Sequence, residues 1–169
     1  MRVGATIFNQ NYNDWDRYEA EELGKPVPKR AVRSDREIFN EEINIARIAD
    51  ETGFDSVWTI EHHFTPYTMV TNPLQYLTYI AGITKRVDLG TMVVVLPWHN
   101  PVRVAEDINM LDSFLDGARD VVIASSRTSM IPGACGLQTR SSSPVLSAKG
   151  FPRPRNGPAL LRIGVKTRN

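Results

Sequence analysis

Through the first 124 residues, apolar positions follow two rhythms that alternate along the chain. The opening run MRVGATIF, residues 1–8, has the make-up of a short strand, and the polar, aromatic-dotted segment 9–33 carries the turn residues of a long loop. Ser34 and Glu37 then stand at capping-box spacing. Behind them Ile38, Phe39, Ile43, Ile45, Ala46 and Ala49 recur at helical spacing until Gly53, which predicts an amphipathic helix closed by a glycine cap. FDSVWTI, residues 54–60, is too short for a helix and apolar at most positions, so it predicts a strand buried on both faces.

The cycle repeats twice. Asn72 and Pro73 start a helix lined by Leu74, Leu77 and Ala81, and VDLGTMVVVL, residues 87–96, predicts the next strand. Asn100 and Pro101 repeat the cap, Ala105, Ile108, Leu111 and Leu115 line a third helix ending at Gly117, and RDVVIA, residues 119–124, predicts a fourth strand. The order β-α-β-α-β-α-β implies right-handed crossovers and a parallel sheet. No glycine-rich turn follows the first strand, which argues against a dinucleotide-binding sheet and for a TIM-type (β/α)8 barrel. A full barrel takes about 250 residues, so four strands amount to its first half. The first and fourth strands are then expected to have unpaired edges that invite self-association.

Charge divides the chain in the same place. Residues 121–169 hold eight of the 20 Lys and Arg and none of the 19 Asp and Glu, so residues 1–120 carry a net of −7. This last stretch is rich in Ser, Pro and Gly without helical or strand period. The expected division is a folded unit over residues 1–124 and a disordered or frame-shifted basic tail over 125–169, in a truncated protein of doubtful activity. With Phe151 its only aromatic residue, the tail is a poor nucleic-acid binder. The longest apolar run, residues 92–96, is far short of the roughly 20 residues of a membrane span, and the single Cys135 suits a reducing compartment, so the expected location is cytoplasmic.

Chemistry gathers at the strand ends. Glu61, His62 and His63 follow the second strand and His99 follows the third, which places all three histidines where parallel α/β sheets build their sites. A metal set of Glu61, His62, His63 and His99 is disfavoured, because neighbours on extended backbone point to opposite sides. No serine or cysteine sits in an elbow-type turn, which leaves acid/base work by one histidine as the natural reading.

GFDSVWTIEHHF, the NP that follows, VDLGTMVVVLPWHNPVRVAEDINMLD and a GAR step together resemble the amino-terminal part of the bacterial luciferase-like flavin monooxygenases over about residues 1–123. The resemblance implies a barrel that binds reduced FMN and uses O2 to oxidise an aldehyde or another small organic substrate, with a flavin reductase as supplier of the reduced flavin. It implies that His62 is the base, that Glu61 lies beside the flavin, and that Met92 and Val93 lie against its ring at a position where the family often has a non-proline cis peptide. His63 and His99 match recurrent family positions but are given no catalytic step; no metal is expected, and Arg103 and Glu106 are expected to orient the third helix by ion pairing rather than to touch substrate. Where the family continues into a glycine-arginine-glycine turn, this chain has Ala124, Ser125 and Ser126. The alternatives are a deazaflavin-dependent relative and a non-catalytic fragment that self-associates.

Overall fold

Ser34 and Glu37 form the capping box that their spacing predicts: the Ser34 N–H donates to the Glu37 carboxylate at 2.7 Å, and Ser34 Oγ accepts from the Glu37 N–H. The structure, a computed structural model, describes residues 1–27, 29, 33–115, 119–126 and 145–147. Its strands are β1 (Gly4–Ile7), β2 (Ser56–Thr59), β3 (Asp88–Val95), β4 (Val121–Ser126) and β5 (Val145–Ser147). Its helices are α1 (Trp15–Glu22), α2 (Asp35–Thr52), α3 (Pro73–Ile83) and α4 (Pro101–Phe114). α2 ends at Gly53, whose φ of 90° suits glycine alone among ordinary residues. Asn72 accepts the Gln75 N–H at 3.0 Å and Asn100 accepts the Val102 N–H at 2.9 Å, each followed by a proline at the first helical position.

β1 to β4 are parallel neighbours in chain order, with Ala5 beside Val57, Val57 beside Leu89, and Leu89 beside Val121. This is a partial TIM-type barrel. The register puts Ile7, Val57, Leu89, Val121 and Ile123 on one face, where they meet Ala46, Ala49, Leu77, Ile80, Ile108 and Leu111 from the helices in a single core. The opposite face carries Thr6, Trp58, Gly90 and Val122 in one row. Trp58 lies over Gly90 so closely that a Cβ there would approach its ring to 2.3 Å. β2 is therefore dry on one face and half-buried at Ser56 and Trp58 on the other, rather than buried on both.

Five further expectations change. The segment expected as a loop over 9–33 contains α1, whose charged, weakly amphipathic sequence buries only Ala20 and so left little periodic signal. On α2, Ile45 is 42% exposed, and α4 buries Val104 instead of the expected Ala105. β4 continues two residues beyond the expected boundary, and β5, three residues long, pairs with it antiparallel over Val122–Ala124, covering the edge expected to be open. Gly117 and the rest of the 125–169 tail lie outside the described residues.

Candidate functional site

The chain leaves β2 through buried Ile60 and passes into a loop sewn to the segment after β1. His62 N–H donates to Val70 O at 3.0 Å, Met69 N–H to Asn9 O at 3.1 Å, and Asn11 N–H to Pro66 O at 3.0 Å, while the Thr68 hydroxyl donates to Phe8 O. Asn9 adopts φ of 51°, a left-handed conformation that asparagine tolerates better than most residues, and its side chain donates to Tyr76 Oη at 3.1 Å. Burial pushes the Tyr76 hydroxyl up to about 12, so this partner is a neutral phenol across the ordinary pH range.

Alternation along the extended backbone separates the two neighbouring histidines. Glu61 and His63 turn one way: Glu61, 4% exposed, accepts from His63 Nε2 at 2.8 Å and, with the same oxygen Oε1, from His99 Nε2 at 2.8 Å. Its second oxygen accepts the Val95 N–H at 2.8 Å. His63 stacks on Trp98, with ring centroids 4.7 Å apart and an interplanar angle of 20°. His62 turns the other way and meets Tyr67 edge-on at 5.1 Å. Burial pushes the His62 imidazolium pKa down, the charge of His63 pushes it further, and Glu61 opposes both. Together these effects favour the neutral form of the His62 ring.

On β3 the peptide between Met92 and Val93 is cis, at the position the family resemblance indicates. Pairing with β4 shifts register between Met92 and Val94. Met92 is 41% exposed although its strand is otherwise largely buried, leaving an apolar side chain open near the carboxyl ends of the strands. Tyr67, in the His62 loop, also lines an open cavity of about 510 Å³ whose walls include Phe8, Tyr12, Arg33 and Glu42. Burial pushes the Glu42 carboxyl up, against the effect of the Phe8 N–H that it accepts at 3.1 Å. Arg103 and Glu106 form an exposed ion pair at 3.0 Å within α4.

The strand-end position of all three histidines and the separation of His62 from His63 were readable in the sequence. Two features were not: the union of His63 and His99 on one carboxylate, and the cavity, which depends on how the 8–12 segment lies against α2. Only the spacing of EHH and WHN after consecutive strands hinted at the first.

A family model described as luciferase-like monooxygenase matches residues 9–144, slightly further along the chain than the motifs alone extend. The alkanal monooxygenase alpha chain of Photorhabdus laumondii is 42% identical over 84 residues, which is 50% of this chain and 23% of that one. The oxygenase component of the flavin-dependent trigonelline monooxygenase of Acinetobacter baylyi is 32% identical over 123 residues, 68% of this chain and 34% of that one. This chain therefore spans about a quarter to a third of the length of these curated relatives. Among solved structures, the oxygenating constituent of 3,6-diketocamphane monooxygenase from Pseudomonas putida, a complex with FMN, superposes with a TM-score of 0.57 at 23% identity, covering 77% of this chain and 30% of that one. That likeness concerns the fold.

Proposed function

The chain belongs to the luciferase-like monooxygenase family, and from that premise we propose that it builds the proton-handling side of an FMN-dependent monooxygenase site, with His62 as the base. The observation that carries this reading is the half-buried imidazole of His62, which burial shifts toward its neutral form, in a loop sewn in place at the carboxyl ends of the strands, with Met92 exposed on the neighbouring strand. The residues fit the ring end of a flavin. Met92 and Val93 offer an open apolar surface for a flat heteroaromatic ring, and they belong to the strand beside the one that leads to His62. Reduced FMN, when bound, supplies the two electrons that let O2 deliver one oxygen atom to the substrate and the other to water.

The chain's own part is to place groups and move protons. His62 accepts a proton, and its preference for the neutral form keeps it ready to do so at pH 7. Tyr67 holds the ring edge-on and also forms part of the cavity wall, so a small organic substrate bound in that cavity would lie beside the same loop. Glu61 sits beneath, with its carboxylate turned to His63 and His99 rather than to open space. A flavin reductase supplies the reduced cofactor, and association of copies of the chain covers the inner sheet face around Trp58. Among the described residues no helix is long and apolar enough to cross a membrane.

Stopped-flow absorbance, mixing anaerobically reduced FMN and the chain with oxygenated buffer, tests the reading. His62→Ala should slow the protein-dependent phase by about 10²- to 10⁴-fold, the usual cost of losing a general base, with the fold intact. His63→Ala and His99→Ala should each be milder. A His62→Ala chain as fast as the wild type, or a wild-type chain without effect on the reaction, would contradict it.

A further inference from the structure

Glu61 is fully engaged by its neighbours. A carboxylate only accepts hydrogen bonds, so the 2.8 Å contacts from His63 Nε2 and His99 Nε2 to Oε1 require an N–H on both Nε2 atoms. Its other oxygen is taken by the Val95 N–H, and the side chain has no exposed surface, so no bound ring can reach it directly. The two imidazoles differ from it in this respect: their side chains remain 19% and 21% exposed. The three residues come from the exits of two adjacent strands, His63 is further fixed by stacking on Trp98, and Val95 anchors the group to the last residue of β3.

We propose that Glu61 is a positioning residue, which clasps His63 and His99 by their Nε2–H groups and leaves Nδ1 as the ring atom through which each meets a ligand. This moves Glu61 from beside the flavin to beneath the histidines, and gives His63 and His99 a role that the motif does not supply. A buried carboxylate shared by two rings restricts the orientation of both, so a ligand meets two Nδ1 atoms whose directions are already set. Because the clasp exists before any ligand binds, it is distinguishable from the flavin reading: it can be measured in the chain alone.

The measurement uses the full chain labelled with 15N-histidine, whose three histidines give three ring systems. Two Nε2–H protons protected from solvent exchange are expected, one from His63 and one from His99, with no protected Nδ1–H on either ring. Glu61→Ala should remove both protected signals. If that variant does not fold, His63→Ala and His99→Ala decide the matter, since each should delete its own signal and leave the other. A protected Nδ1–H on either ring, the absence of either Nε2–H signal in the wild type, or survival of both in a folded Glu61→Ala chain would overturn the proposal.

Discussion

The two ends of the sheet are both held by carboxylates, yet the carboxylates have different partners. At the strand entries, Asp50 accepts the N–H groups of Lys85, Arg86 and Val87 at 2.7 to 2.9 Å, and Asp55 accepts the Val3 N–H at 2.6 Å. Asp88 accepts the Asp120 N–H at 2.8 Å and pairs with Arg2, while Arg119 donates to the Thr84 and Ala81 carbonyls. These partners are backbone amides and guanidinium groups that keep their protons at any ordinary pH. At the strand exits, Glu61 holds two imidazoles and His62 stands on the other side of the same loop. Imidazoles exchange protons near neutrality. The same hydrogen-bonding device therefore closes the bottom of the sheet and equips its top, in keeping with the division between stability and chemistry in barrels of this type.

That contrast can be broken by mutation. The largest effect on stability is expected from Asp50→Ala, which removes the acceptor from three amides at once and should cost about 1–3 kcal/mol, read as a lower urea midpoint. The reaction of reduced FMN with O2 should proceed at the wild-type rate in the folded fraction. An Asp50→Ala chain that is fully stable but slow would invert the assignment of the two ends. Ser34→Ala should cost less, about 1 kcal/mol, through loss of the α2 cap. It sharpens the contrast from the other side: α2 begins near the exit end, yet this residue should affect stability and leave the rate alone.

The smallest effects appear as pH dependence. His62 has a folded pKa below its ordinary value, chiefly through burial, so the unfolded chain binds its proton first. Stability should therefore begin to fall as pH drops below about 6.5 and stop falling, for this group, once the folded value is passed. Asp50 behaves differently. Burial pushes its carboxyl up, but the three amide bonds together outweigh burial and hold it below its ordinary value. Its contribution is present above about 3.9 and is lost as pH falls through the lower folded value. Urea midpoints against pH should show that His62→Gln flattens the first limb and Asp50→Asn the second; an unchanged first limb in His62→Gln would remove burial as the cause.

How much of this was legible in the sequence follows from where periodicity is strong. The caps at Ser34, Asn72 and Asn100 and the cores of α2, α3 and α4 were readable, because burial against one sheet face imposes 3.6-residue spacing on Leu77, Ile108 and Leu111. α1 was missed because it packs little, and β5 because three residues carry no period. The half-open inner face was missed because VWT looks the same whether a second layer covers Trp58 or not. In the site, local alternation correctly separated His62 from His63. The meeting of His99 with Glu61, 38 positions apart in sequence, depends on the adjacency of β2 and β3 and on the turn Leu96–Trp98. Such a contact has no local signature.

The central claim, that the exits of β2 and β3 form the flavin-facing surface, is tested most directly by adding FMN to the 15N-labelled chain and following the amide resonances. Shifts concentrated at His62, Tyr67, Met92 and Val93, with Asp50, Asp88 and Arg119 unmoved, are the predicted result. Shifts at the entry end, or none at those four residues up to millimolar FMN, would contradict it.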